Sequence, residues 1–456
     1  MADPSYRAIY LCIALVFAAP DRPPPLTPSV VERSRGVAPN PSATLGTGAV
    51  ERSPGVASSP QSTADGGAAP LVSLVDEIAG IVEQKFYSPA RLEEVGWGAA
   101  VARARQEFAA SRTAAERVAV LRKLVASLKT SHTAYYPRAD PAYWDVASLF
   151  EPVLQRTCPK ELTPGFPIAR DDIGVFWKQD EGAWFVGGVF VGGPADKAGL
   201  KLGDRILAAD GQAFSPVKSF AGRAGKAVSL QVQRARGAAP IPVLVTPQST
   251  RPQEELRQAT ADSWRIIEHR GRRIAYIHVW SWATIEFQKV VLDAIAKSNA
   301  AAVEGFILDV RDGWGGAHGN YLGIFWRDVP LLESVGRDGK KQAFDQQIRR
   351  PAVLLVNGGT RSGKETIAYG AKKHGLARLV GERTAGAYNF GGPSCLSDGS
   401  LLLLAQSDAR VDGERLEGRG VAPDIEVPFD FRYAAGKDAQ LARALDVLSG
   451  EESPRR

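Results

Sequence analysis

The stretch from Ala352 to Lys373 constrains the fold most strongly. It runs from an apolar segment, AVLLVN, through a glycine-rich turn, GGTRSGK, into a helix-forming segment, ETIAYGAKK. An unbroken apolar strand that feeds a helix through a tight turn belongs in a parallel sheet with both faces covered. The units RIAYIHVWSW, EFQKVVLDAIAKS, GFILDV and ARLVG continue the alternation from Arg272 onward, so an α/β layer with a mainly parallel sheet is expected. Gly358–Lys364 also fits the GxxxxGK phosphate loop, but Glu365 stands where a Ser or Thr hydroxyl would ligate magnesium. Thr366 comes one place too late, and the charge of Glu365 would repel phosphates. A nucleotide site is therefore not expected.

Composition narrows the class. The chain has 456 residues, enough for about three domains. At 44% hydrophobic and 23% charged it is neither a disordered chain, a collagen nor a small disulfide scaffold. A net charge of +6 on a chain this long includes no block of like charge to track a phosphate backbone, so nucleic acid is not an expected partner. The apolar run Ala8 to Ala19 follows Arg7 and ends in small residues before Pro20 and Asp21. It is too short to span a bilayer but suits a signal peptide over 1–19, with Cys12 leaving inside it. No other stretch reaches ~18 apolar residues. Cys158 and Cys395 remain, either as a pair in an oxidising compartment or as two separate buried thiols.

Residues 20–70 are rich in Pro, Ser, Thr, Ala and Gly without a period, and read as a disordered linker. Over 71–136 the segments LVSLVDEIAGIVEQKF and AAERVAVLRKLVASL repeat apolar residues at three and four, a helical domain. Prolines break the pattern over 137–170, a connector. Short β-runs fill 171–248, the α/β region covers 249–432, and a helix and tail close the chain over 433–456. Within the β-rich module, VGGPADKAGLKLGDRILAADG (Val191 to Gly211) resembles a PDZ domain. That resemblance implies a site that takes an extended peptide as an added strand, often by a free C-terminus. By position, Ile173, Gly174 and Val175 form the loop on the carboxylate side. The alternative is a PDZ fold used as a spacer or lid.

A wider resemblance follows from motifs in a fixed order. These are LKTSHTAYYP, GFILDVRDGWGG, VNGGTRSGKETIAYGAKKHGLARLVGERTAG, LSDGSLLL and LEGRGVAPDIEV. Together they resemble the C-terminal processing (tail-specific) serine peptidases from about Leu71 to Phe429. The fold implied is multidomain α+β: an N-terminal helical domain, a PDZ-like β-rich domain and a ββα-type, ClpP/crotonase-like catalytic core.

The family's nucleophile is a serine three residues before a glutamate, here Ser362 before Glu365. At a helix N-terminus the backbone N–H of Gly363 and the helix dipole suit an oxyanion, with Gly315 and Gly316 as further donors. Alternatively, Ser362 is only a helix cap. The lysine that serves most relatives as base is replaced by Ala387. The other branch, similar to the tricorn protease core, uses a histidine, and Ser131-His132 and Glu417 match it. The resemblance thus implies Ser362 as nucleophile, His132 as base, and Ser131 with Glu417 as its orienters. A histidine near its ordinary pKa implies activity rising through about 6 to 7. The competing readings are a helix-end His132 bonded to a carbonyl, and a Glu417 paired with Arg415 or Arg419. Lys364 and His318 are weaker substitutes as base, His318 being better placed to line the pocket. His269, His278 and His374 fall in ordinary linker, strand and helix contexts, and Asp309 and Arg311 are expected to brace the glycine loop.

The function implied is an exported serine endopeptidase of the periplasm, cell envelope or medium. It would cleave peptides or protein tails without cofactor or metal, with the PDZ-like module gating access. An inactive relative that serves as a peptide-binding scaffold is the alternative, and a binder of a hydrophobic small ligand is a third, weaker class.

Overall fold

The computed structural model describes residues 73–450, so the expected signal peptide, the whole of the expected linker and the last six residues lie outside the described residues. Among the described residues no helix is long and apolar enough to cross a membrane.

Four helices open the described residues: Leu74–Lys85, Pro89–Glu94, Trp97–Ala110 and Ala114–Ala126. Local signals start them. Ser73 caps the first by accepting from Asp76 N, and Thr113 with Glu116 forms a reciprocal capping box on the fourth. Their apolar faces (Val75, Ile78, Val82, Leu121, Leu124) bury against Leu402 and Leu404 of a distant strand. That strand, Leu401–Ser407, pairs antiparallel with Ala134–Tyr136 on one side and Phe390–Cys395 on the other. The helical domain is thereby fixed to the C-terminal third of the chain.

The connector is more ordered than its prolines suggest. It contains the helices Pro141–Leu149 and Glu151–Thr157, each with proline in its first turn. At that position the missing N–H removes no helical bond, so these prolines start helices instead of breaking them. Cys158, just after the second helix, forms a disulfide with Cys395, with Cα atoms 5.8 Å apart. Of the two alternatives left open by the sequence, the structure contains the bridge.

The β-rich module is an antiparallel sheet in the order Val175–Asp180, Ala183–Val189, Arg205–Ala209, Val228–Gln233, Ile241–Val245. Val228–Gln233 alternates buried and half-buried residues, which puts Val228, Leu230 and Val232 in the module's own core. The third layer is the expected α/β core. Its sheet begins with the antiparallel edge Arg265–His269 and continues in parallel through Arg272–His278, Gly305–Asp309, Ala352–Val356, Arg378–Gly381 and Ile425–Glu426. Ala352–Val356 is buried on both faces. Leu354 and Val356 pack toward Ile367 and Ala368 of the helix Gly363–Lys373, whereas Val353 and Leu355 pack toward Leu445 and Leu448 of the helix Ala439–Leu448. The loops after Asp309 and Val356 therefore leave the same edge of the sheet, the carboxyl end, where open α/β sheets place their sites.

Candidate active site

Ser362 closes the loop after the central strand and opens the helix Gly363–Lys373. Its φ of 55° is in the left-handed region, which disfavours a non-glycine residue. Strain of this kind persists only where surrounding bonds fix it. Ser362 N donates to Ala387 O at 2.8 Å, and Glu365 N donates to Ser362 O at 2.7 Å. Glu365 turns inward and gathers the facing loop, accepting from Thr384 Oγ1 at 2.5 Å, Gly386 N at 2.8 Å and Ala387 N at 2.9 Å.

The glycine loop lies directly against this turn. A Cβ on Gly315 would lie 2.5 Å from Ser362 Cβ and 3.2 Å from Gly363 N; one on Gly363 would lie 2.2 Å from Ala317 O. Only hydrogen fits at either place, so the two backbones approach as an oxyanion pocket requires. Gly316 is held at φ +93° against Ala283. Lys364 is fully buried. Its ammonium donates to Asp312 O at 2.8 Å and Trp280 O at 3.4 Å, and burial lowers its pKa to about 7 despite nearby Asp309 and Asp312.

Ser131, His132 and Glu417 form one connected relay. Ser131 Oγ donates to Glu417 Oε2 at 2.7 Å and lies 3.0 Å from His132 Nδ1, while Ser131 N donates to Glu417 Oε1 at 2.8 Å. Tyr388 N and Asn389 N add bonds to Glu417 Oε2 at 2.8 and 3.0 Å. Burial raises the pKa of Glu417, but these donors outweigh it and hold the carboxyl below its ordinary value, ionised. An ionised carboxylate only accepts, so the Ser131 hydroxyl proton is committed to Glu417. Ser131 Oγ then accepts from His132 Nδ1–H, which leaves the Nε2 lone pair free as a base.

One backbone segment ties the relay to the serine. Ala387 accepts from Ser362 N, and the next two residues bind Glu417. Among the described residues no hydrogen bond joins Ser362 Oγ to His132. Burial chiefly, and then the Arg361 charge, push the His132 pKa down to about 4, against an opposing pull from Glu417. The ordinary histidine ionisation expected from sequence is thus displaced downward.

The other candidates have different roles. His318 caps the turn Gly319–Phe325 by accepting from Asn320 N. His269 meets Asp446 at 2.8 Å, His278 stacks on Trp280 at 3.7 Å, and His374 ends the helix after Ser362. Asp309 and Arg311 form a buried pair whose guanidinium also reaches Asp438 and Gln440, bracing the C-terminal helix. Arg415 and Arg419 pair with Asp408 and Glu414, leaving Glu417 to the relay. In the β-rich module, Ile173 N and Gly174 N already donate to Asp172 Oδ1, at 2.6 and 3.1 Å, and Ile173 and Val175 are buried. This loop presents those two amides to Asp172, where an open peptide-carboxylate cradle was expected. Sequence reasoning missed Arg361, the residue immediately before Ser362. Nothing in its local pattern separates it from a solvent-facing arginine.

Comparison with known proteins fits this geometry. Residues 273–427 match the model of Peptidase family S41, and residues 185–234 that of a PDZ domain. A Synechocystis protein named carboxyl-terminal-processing protease is 28% identical over 278 residues, 57% of this chain and 63% of its own length. Carboxy-terminal processing protease CtpA of Bacillus subtilis is 24% identical over 271 residues, 56% of each chain. Both matches span less than two thirds of the relative. The tricorn protease of Thermoplasma acidophilum is 26% identical over 200 residues, 41% of this chain and 18% of its own length. A tricorn protease crystal structure aligns with 83% of this chain and 36% of its own at TM-score 0.48 and 18% identity. With an S41 region and a PDZ domain in one polypeptide, this chain fits the carboxyl-terminal processing family of serine peptidases.

Proposed function

We propose that this chain is an exported serine endopeptidase that cleaves peptides or protein tails, with Ser362 as nucleophile and His132 as base. The observation that carries the reading is the Ser131 bridge, 2.7 Å from Glu417 and 3.0 Å from His132, which fixes the imidazole as the tautomer a base needs. In the reaction Ser362 Oγ attacks the scissile carbonyl as His132 Nε2 takes its proton. Gly363 N–H and the Gly315–Gly316 loop receive the oxyanion. His132 then returns the proton to the leaving amine. Catalytic hydrogen bonds often tighten only in the substrate complex, which accommodates the unmade Ser362–His132 bond.

The PDZ domain gates access in this reading. Its Phe176 and Phe190 rings pack on Trp280, and Lys178 pairs with Asp312 at 3.0 Å, within the glycine loop. Peptide capture at Ile173–Val175 requires Asp172 to release the two amides. The Cys158–Cys395 disulfide supports export, because such bridges persist in oxidising compartments.

The test is reaction with a fluorophosphonate followed by peptide mapping. The adduct should sit on Ser362 and be absent from Ser362→Ala; an adduct on another serine, with Ser362 unmodified, refutes the assignment. The scaffold reading draws on the missing Ser362–His132 bond. It prevails if neither label nor hydrolysis is found over a broad peptide panel.

A further inference from the structure

Arg361 stands immediately before the nucleophile, and its charge has no partner. Among the described residues its guanidinium makes no hydrogen bond and no ion pair, and its Nε is buried without an acceptor. Its one recorded contact of this kind is a cation–π approach to Trp314, 5.9 Å from the ring centroid. Trp314 belongs to the glycine loop and is anchored by Nε1 on Asp145 at 3.2 Å. The backbone of Arg361 lies against the glycine loop, with Arg361 O 2.7 Å from where a Cβ on Gly315 would sit, and its charge disfavours protonation of His132 and Lys364.

A partly buried cation without an anion is costly, and proteins pair such groups or leave them for a ligand. Among the described residues, Arg170 pairs with Asp145 and Asp172, Arg311 with Asp309 and Asp438, and Arg234 with Asp204, whereas Arg205, in the β-rich module, shares with Arg361 a buried Nε without an acceptor. Arg361 differs from Arg205 in standing next to Ser362, where in the proposed reading the substrate lies. The guanidinium fork matches a carboxylate in shape and charge.

We propose that Arg361 is a substrate subsite that receives a carboxylate of the peptide, either its free C-terminus or an acidic side chain beside the scissile bond. The proposal rests on Ser362 being the nucleophile and adds the chemical class that the site selects. It also gives the substrate a part in tuning the base. A bound carboxylate offsets the Arg361 charge that disfavours protonated His132, so the base strengthens when the right substrate is in place.

Three fluorescent peptides with one common cleavable core test this. The first ends in a free carboxylate, the second is amidated with Glu at the same place, and the third is amidated with Gln there. The native chain should favour one or both carboxylate peptides over the third by about 10- to 100-fold in kcat/KM, mostly through KM. Which of the two is favoured tells a chain terminus from a side chain. Arg361→Leu should level the three, and Arg361→Lys should keep part of the preference. Equal rates for all three in the native chain, or an undiminished preference in Arg361→Leu, overturn the subsite. Binding of the same peptides, by fluorescence anisotropy on Ser362→Ala with and without Arg361→Leu, decides the subsite without turnover. Hydrolysis that survives Ser362→Ala would sink the nucleophile assignment separately.

Discussion

Lys364 donates from a fully buried ammonium to the carbonyl oxygen of Asp312 at 2.8 Å, three residues before Gly315. A second bond, at 3.4 Å, reaches Trp280 O, which also accepts from Trp314 N at 2.8 Å. Both ends of the glycine loop are thus tied to the residue two places after Ser362.

Lys364→Met should therefore slow the reaction of Ser362 by about 10- to 100-fold, the scale expected when a loop is misplaced by roughly an ångström. Its effect on stability has a defined pH course. Folding lowers the Lys364 pKa from 10.5 to about 7, so the penalty for burying the charge is complete below 7 and is relieved as pH rises toward 10.5. Melting curves of native and Lys364→Met chains should differ most in favour of the variant at pH 6. The difference should shift steadily toward the native chain by pH 10. A constant difference across that range would mean that Lys364 keeps an ordinary pKa in the folded state.

The relay sets a second pH course. With the His132 pKa lowered to about 4, the imidazole is already neutral at pH 5.5, and under the proposed mechanism kcat/KM there should be close to its neutral-pH plateau. His132→Ala should reduce kcat/KM by on the order of 10³-fold or more. In Arg361→Leu the acid limb should move upward, because a positive neighbour that disfavours imidazolium is gone. An acid limb near 6.5 in the native chain would count against a buried His132.

Gly315→Ala is expected to remove most activity without unfolding the chain. The added Cβ would lie 2.5 Å from Ser362 Cβ and 2.7 Å from Arg361 O, so the loop must retreat from Ser362. A loss of about 10²-fold or more in kcat, with a melting temperature within a few degrees of native, is the expected outcome, since an oxyanion donor alone carries 10²–10³. Retained kcat would place the oxyanion elsewhere.

Reduction of the Cys158–Cys395 bridge should destabilise the chain by about 2–4 kcal/mol, the usual range for closing a long loop. The cysteines are 237 residues apart, and Cys395 ends the strand that begins one residue after Asn389. Denaturant titrations of the native chain with and without reductant measure it, with Cys158→Ser as the control that reductant should leave unchanged. An unchanged midpoint when the native chain is reduced would show that the bridge does not stabilise the fold.

What the sequence revealed was local. The apolar run AVLLVN and the turn after it located Ser362, and the alternating runs of the PDZ segment matched the strands observed, because period and turn chemistry are written in neighbouring residues. The burial of Lys364 and the solitude of Arg361 were not legible. Both depend on Trp280, Asp312 and Trp314, which reach them only through the tertiary fold. The depressed pKa of His132 was hidden for the same reason, since burial and Arg361 set it. The proline-led helices of the connector were obscured by reading Pro141 and Pro152 as breakers, when position within the helix decides their effect.

Ser131 and Glu417 are separated by 286 residues, and the strand that carries the chain on from His132 has its partner at Leu401–Ser407. A ribosome or a translocation pore releases a chain from its N-terminus, so the imidazole emerges long before the carboxylate that orients it. A nascent or truncated chain lacking Glu417 therefore carries Ser131 and His132 without the carboxylate to which the Ser131 hydroxyl bonds. In the proposed reading the oriented imidazole is thus among the last features that synthesis completes.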